Sequence, residues 1–335
     1  IDWYEAKKQM EASRKEKGRY LIGVGMACGS HGTSMFPFMP DITGITIKMN
    51  EDGTIVFTTG TSDMGNGSVT TQCMLISEVL GIPLDHIAYI KTDTDAAMSD
   101  LGAYASRGTY TSGHAAVKTA QIMRDKIAVL AAELLDTTTD NLDFHDDAVW
   151  CVDIHRKFVS MKEIAVHARE KHQEDLSCSY MFHSEAGPMS SGAHFAKVQV
   201  DTVTGGIKVL EYAAVHDVGR VVNPMGITGQ LEGGISMGLG YALCEEMKLD
   251  STGRNQTSSF KKYHILNVKE MPKLSVDFLD SEEETGPYGA KSIGECAVVP
   301  VAPAIANAVS NAVGRQFYKL PIRPEDVLEA LSLVK

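Results

Sequence analysis

The sequence predicts an α+β fold in two lobes, and three observations carry that expectation. Its 335 residues exceed the roughly 250–300 at which one hydrophobic core usually stops growing. Hairpin signals are mixed with helix-spaced segments, without a strict strand–helix–strand alternation. The composition, 44% hydrophobic and 22% charged, is that of a globular chain and leaves no room for extensive disorder.

In chain order, Asp2 and Glu5 have capping-box spacing ahead of a helix that Gly18 suits as an exit. Residues 21–27 read as a buried strand. Segments 44–49 and 54–59 flank Asn50-Glu51-Asp52-Gly53, a strong hairpin signal. Helical spacing covers 69–80 and is closed by Gly81 and Pro83; a strand at 87–92 and a long helix at about 112–135 follow. The polar stretch 137–192 has no clear period and reads as one short strand, a helix near 161–171 and loops. A second hairpin joins 194–201 to 207–215 through Thr204-Gly205-Gly206. Glycine-rich residues 226–246 keep helical spacing in Leu231, Ile235, Leu239 and Leu243. A strand at 274–279 and helices at about 303–313 and 325–333 complete the chain.

Lys plus Arg total 31 against 43 for Asp plus Glu, a formal net charge of -12. Such a balance argues against a dedicated nucleic-acid binder, although a local basic patch still suffices for one phosphate group. The six cysteines are scattered without a CxxC pair, which excludes a zinc ribbon and the usual iron–sulfur ligand runs. Sparse cysteine and an N-terminus without signal-peptide character suggest a reduced, cytoplasmic protein. Residues 296–314 carry no charge, but Pro300, Pro303, Asn307, Ser310 and Asn311 mark them as buried interior rather than membrane span.

Four segments could carry chemistry. In the first, Gly65-Asn66-Gly67-Ser68 lies between a strand and a helix, where paired glycines and free N–H groups favour an anion. A tight turn into a helix has the same spacing. The second, Ala105-Ser106-Arg107-Gly108-Thr109, precedes the long helix and combines hydroxyls with a guanidinium, a natural phosphate cradle. A polar loop with a solvated arginine reads alike. In the third, Gln230 stands among glycines and offers donor and acceptor to a flat heterocycle.

The fourth runs through Lys291-Ser292-Ile293-Gly294-Glu295. Glu295 is the only acid between Glu284 and Glu325 and borders uncharged sequence, a setting that should desolvate its carboxyl, raise its pKa and suit it to general-base work. A glutamate capping the next helix, or paired with Lys291, is the plainer alternative. His31, His114, His194 and His216 share no helical face and read as structural. Asp217 and Arg220 read as fixing a turn before Asn223-Pro224.

These segments, in this order, resemble the C-terminal half of the molybdenum-cofactor subunit of the xanthine dehydrogenase and aldehyde oxidase family. The matching stretches are DGTIVFTTGTSDMGNGSVTTQ, TDTDAAMSDLGAYASRGTYTSGHAAV, HDVGRVVNPMGITGQLEGG and GPYGAKSIGECAVVPVAPAIANAVSNAVG, with the tail LPIRPEDVLEAL. The resemblance implies a two-lobed molybdenum-cofactor-binding domain. Residues 1–43 would be a helix and strand packing with the second lobe, 44–190 a first cofactor-binding lobe, and 191–335 a second one with the catalytic glutamate. It further implies molybdopterin cytosine dinucleotide, its molybdenum held by the pterin dithiolene with no direct protein ligand and bearing a terminal oxo, sulfido or selenido ligand.

Glu295 falls on the family's catalytic base. Gly65 to Ser68, Ala105 to Thr109, Gln230 and Lys291 to Gly294 fall on segments that touch the cofactor. The implied reaction is hydroxylation of an N-heteroaromatic substrate such as nicotinate, with water as oxygen source. Aldehyde, purine or carbon monoxide oxidation, hydroxybenzoyl thioester reduction and a non-catalytic cofactor-binding scaffold stay open. Family subunits are commonly about twice as long, so the resemblance implies a second molybdopterin chain completing the site, with 2Fe-2S and FAD subunits carrying electrons away. Two departures stand out: Asn66 replaces a usual Gln, and Ser292 replaces a usual Gly and would bring a hydroxyl near the cofactor.

Overall fold

The computed structural model describes residues 1–334 except 91, 155 and 280. Helix α1 (Trp3–Glu16) starts where the Asp2 side chain accepts the Glu5 N–H at 3.0 Å, and it buries Ala6 and Met10. Its exit is left-handed at Lys17 (φ 50°), one residue before the expected Gly18. The chain then enters β1 (Tyr20–Gly32), which pairs antiparallel with β9 (Met189–Asp201). β9 pairs antiparallel with β10 (Ile207–Asp217), and β10 lies parallel to β11 (Lys273–Leu279). This sheet, ordered β1-β9-β10-β11, packs against α5 (Pro224–Leu243), α6 (Val301–Val313) and α7 (Pro324–Val334).

A second four-stranded sheet has the order β4-β3-β2-β8. Strands β2 (Ile42–Met49) and β3 (Ile55–Thr59) form the expected hairpin, with Ile45, Ile47, Met49, Ile55 and Phe57 pointing into one core. Helix α2 (Ser68–Leu80) carries the chain across to β4 (Ile87–Ile90), which runs parallel to β3. The expected strand at 87–92 thus stops at Ile90; residue 91 lies outside the described residues. Helix α3 (Thr111–Leu135) lies over this sheet, burying Ala116, Ala120, Met123 and Ile127 every three or four residues.

The region 137–192 is more regular than its sequence predicts. It holds a three-stranded sheet of β5 (Leu142–His145), β6 (Ala148–Cys151) and β7 (Phe158–Ser160), followed by α4 (Met161–His172). It also supplies β8 (Ser177–His183), paired antiparallel with β2. β5 to β7 are only three or four residues long, and β8 is exposed or half-buried throughout, so the apolar alternation by which a strand is read is weak here. Helix α4 starts with a full capping box of Ser160 and Glu163.

Residues 295–313 have the length and mean hydropathy (1.5) of a membrane span, but 67% of that stretch is buried inside the protein. Within it, Val301, Ala304, Ile305, Ala308 and Val309 of α6 fill the core beneath β1 and β9. The contact is close because β1 is glycine-rich: a Cβ at Gly25 would overlap backbone atoms of Ala304 and Ala308. A Gly25→Val substitution is therefore expected to lower stability by about 3 kcal/mol or more in chemical denaturation. Gly18→Ala, where nothing stands within 4 Å of the new methyl, should stay within about 0.5 kcal/mol.

Candidate active site

All four sequence candidates border one cleft of about 520 Å³, which runs between the starts of α2 and α3 on one side and α5 with the 292–298 turn on the other. Gly65, Asn66, Ser68, Ser106, Arg107, Gly108, Thr109, Gln230, Ser292, Ile293, Gly294 and Glu295 line it. Gly67 is the left-handed residue (φ 71°) that starts α2. Ala105 sits one residue before Ser106, both of them left-handed (φ 51° and 49°). Lys291 borders a side chamber of about 50 Å³ shared with Asn66, Thr109 and Gln230. Sequence positions up to 230 apart thus meet in one place.

The electrostatics differ from the sequence reading in three respects. First, the N–H groups expected to hold an anion already have one. Asp63 Oδ1 accepts from Gly65 N–H at 2.9 Å and Gly67 N–H at 3.2 Å, and Oδ2 accepts from Val69 N–H at 3.4 Å. Asn66 Oδ1 takes the Ser68 N–H at 3.2 Å. The helix dipole is thereby neutralised from within the chain.

Second, the Arg107 guanidinium is committed within the protein. Its side chain is 1% exposed and turned into the first lobe. Nε donates to Asp41 at 2.7 Å; Nη1 donates to both Asp100 oxygens at 2.9 and 3.0 Å and to the Gly102 carbonyl at 3.1 Å. Nη2 donates to the Ile42 carbonyl and to Thr43 Oγ1, each at 2.6 Å. Burial alone would raise the Asp41 carboxyl, but the Met35 N–H, Arg107 and the Ser34 hydroxyl together hold it below the ordinary range. Only the backbone of Arg107 is left to face the cleft.

Third, Glu295 is half-exposed (side chain 43%) and its pKa is lowered, not raised. Burial does push it upward. The Ser106 hydroxyl, which donates to Oε2, its own N–H, His31 and the Ala105 N–H outweigh that push. Ser106 Oγ in turn accepts the Glu295 N–H at 3.0 Å, so hydroxyl and glutamate are locked reciprocally. His31, read from sequence as structural, places Nδ1 at 3.4 Å from Ser106 Oγ and 3.9 Å from Glu295 Oε2. No sequence spacing shows this, because His31 and Glu295 lie on β1 and on the turn before α6.

The remaining candidates shape the turn. Gln230 Nε2 donates to the Gly294 carbonyl at 3.3 Å. Ser292 Oγ accepts the Tyr110 N–H at 2.7 Å, so the hydroxyl expected near a cofactor ties α3 to the turn instead. Lys291 Nζ pairs with Asp217 at 2.8 Å, not with Glu295, and reaches the Met189 carbonyl at 3.2 Å. Asp217 Oδ1 also accepts the Gly219 N–H at 3.1 Å, which bears out its role in a turn. Arg220 N–H donates to the Gly289 carbonyl at 2.8 Å, and the residue also borders the side chamber beside the start of α5, where Asn223 caps Gly226. Its neighbours in the chain suggest only a turn, so its approach to Lys291 and Thr109 was not legible.

The buried ion cluster generates a direct test. Arg107→Ala strands Asp41 and Asp100 as unpaired buried carboxylates, which should cost about 3–5 kcal/mol, read as a lowered melting temperature. An arginine serving only as a phosphate ligand would leave the melting temperature of the cofactor-free chain unchanged.

Comparisons with known proteins agree with this architecture. A family profile described as the molybdopterin cofactor-binding domain matches residues 1–272. A putative xanthine dehydrogenase molybdenum-binding subunit of Escherichia coli (strain K12) is 31% identical over 335 residues, covering 98% of this chain and 44% of that protein. The nicotine 6-hydroxylase large subunit of Paenarthrobacter nicotinovorans is 27% identical, covering 98% of this chain and 42% of its own length. The reconstituted CO dehydrogenase structure from Oligotropha carboxidovorans superposes with a TM-score of 0.91 at 26% identity, over 99% of this chain and 43% of that one. The chain thus spans less than half the length of these relatives. With the profile covering most of the sequence and the fold matched nearly end to end, this chain belongs to the molybdopterin cofactor-binding domain family.

Proposed function

We propose that the chain supplies the base and one wall of the active site of a molybdenum hydroxylase of the nicotinate dehydrogenase type, acting on an N-heteroaromatic acid with water as oxygen source. The observation that carries this reading is Glu295, an ionised, half-exposed carboxylate fixed by Ser106 at the edge of the family's cleft. A cytoplasmic assembly fits it. A second polypeptide segment completes the pocket, and 2Fe-2S and FAD subunits take the electrons. The name of the nicotine 6-hydroxylase relative supports an N-heterocyclic substrate. So does the rim of the cleft, where Met64, Tyr104 and Met237 present exposed, polarisable side chains to a flat ring.

The residues fit a molybdopterin. Ser68 lines the cleft, and its buried Oγ has no hydrogen-bond partner among the described residues, an unsatisfied hydroxyl that a ligand could use. Nothing stands within 4 Å of a Cβ built at Gly65, Gly229 or Gly233, so a flat heterocycle can lie against bare backbone. With the Arg107 guanidinium committed internally and Lys291 paired with Asp217, Arg220, beside the N-terminus of α5, is a cation among the described residues placed to meet a cytosine dinucleotide's phosphates. When bound, the cofactor would supply the two-electron redox centre, and the residues named here would hold it.

The chain's own contribution is positional and acid–base. Ser106 donates to Glu295 Oε2, keeps the carboxylate charged and orients it into the cleft. Glu295 then takes a proton from the attacking oxygen nucleophile. Gln230 steadies the Gly294 carbonyl, and with it the turn that carries the base. The apolar residues behind Glu295, beginning with Cys296 and Ala297, are buried and keep water from that side.

Two outcomes test this in the purified assembly with an artificial electron acceptor. Glu295→Gln should lower kcat by about 10²–10⁴-fold at unchanged molybdenum and CMP content; full turnover would leave the chain a cofactor scaffold. Because Ser106 stabilises the charged form, Ser106→Ala should raise the Glu295 pKa and move the acid limb of the kcat/KM profile to higher pH. The wild-type limb should lie below that of an ordinary glutamate. A limb that does not move would show that another group is the base.

A further inference from the structure

At the end of the first lobe remote from the cleft, two helix C-termini bring together groups that the proposed reaction does not use. Glu133 lies in the last turn of α3, and His167 and His172 lie towards the C-terminal end of α4. Glu133 Oε2 is 3.2 Å from His167 Nε2 and 2.8 Å from His172 Nε2, and all three donor atoms lie within 4.8 Å of one another. The cleft touches the opposite end of α3 at Ser112, about 31 Å away at 1.5 Å rise per residue.

We propose that Glu133, His167 and His172 form a binding site for a late first-row divalent cation, with Zn²⁺ as the fitting ion. Bonds of about 2.0–2.2 Å to nitrogen and carboxylate oxygen put the ligand atoms of a tetrahedral ion about 3.3 Å apart, close to the spacing of Glu133 with each histidine. Two imidazoles and a carboxylate are a borderline donor set that suits zinc over calcium or magnesium. The C-terminal ends of α3 and α4 add partial negative charge at the same place. A fourth position is open to water, since Glu133 and His172 stand at the surface beside the half-buried His167.

Lys171 separates a metal site from an ordinary surface network. Its ammonium contacts Glu133 Oε1 and occupies the charge that an incoming cation needs. Removing it should therefore tighten metal binding, whereas a network without a metal function gains nothing.

The experiment is a calorimetric titration of ZnCl₂ into the full chain, with circular dichroism confirming that each variant keeps its fold. Wild type should show a site that His167→Ala and Glu133→Gln each weaken by about tenfold or more and that Lys171→Ala strengthens. Co²⁺ added in place of zinc should give a tetrahedral visible absorption lost in His167→Ala. Zinc isotherms identical across the variants, or no uptake by wild type at millimolar zinc, would overturn the proposal. Neither result depends on cofactor loading or turnover, so the hydroxylase reading stands or falls separately.

Discussion

The buried cluster of Arg107 with Asp41 and Asp100 is the constraint on which the site depends. A guanidinium with no exposure is tolerable in a protein interior only when its charge and its donors are matched. Here two carboxylates, two backbone carbonyls and the Thr43 hydroxyl do that. Because Asp41 and Thr43 stand at the start of β2 and Asp100 precedes the glycine loop, the cluster fastens that loop to the rigid sheet of the first lobe. The two residues before Arg107 can then hold left-handed conformations that non-glycine residues adopt at some cost. That geometry aims the Ser106 hydroxyl at Glu295.

The second lobe meets this fastening halfway. Glycines in β1 let α6 approach until backbone nearly touches backbone, which fixes where α6 begins. The turn before α6 carries Glu295, and Gln230 of α5, the Tyr110 N–H of α3 and the Ser190 hydroxyl hold it in place from three directions. The base is thus positioned by both lobes at once, and neither lobe alone contains Glu295 together with its Ser106 partner.

Much of this was legible in the sequence, and the limits have physical causes. The Asn50 to Gly53 hairpin and the Asp2 cap of α1 are local features, so local patterns reveal them. The four cleft segments were found because glycine and small residues cluster where a ligand approaches backbone, and because Glu295 stands alone at the edge of uncharged sequence. Only one short strand was legible in 137–192, because β5 to β7 are three or four residues long and β8 has no buried face. The direction of the Glu295 shift was misjudged for a different reason. Its place beside uncharged sequence is visible, whereas the groups that outweigh burial, chiefly the Ser106 hydroxyl with His31 and the Ala105 N–H, lie up to 264 positions away. Arg107 and the Gly65 loop were assigned to phosphate for the same reason: their partners, Asp41 and Asp63, are recognisable only once the chain has folded.

The most direct test is a crystal structure of the assembly loaded with its cofactor. The account predicts molybdenum in the cleft facing the Glu295 carboxylate, Ser106 still bonded to that carboxylate, Arg107 still enclosed by Asp41 and Asp100, and the nucleotide phosphates towards Arg220. A pterin bound elsewhere, or Arg107 swung out onto a phosphate, would contradict it.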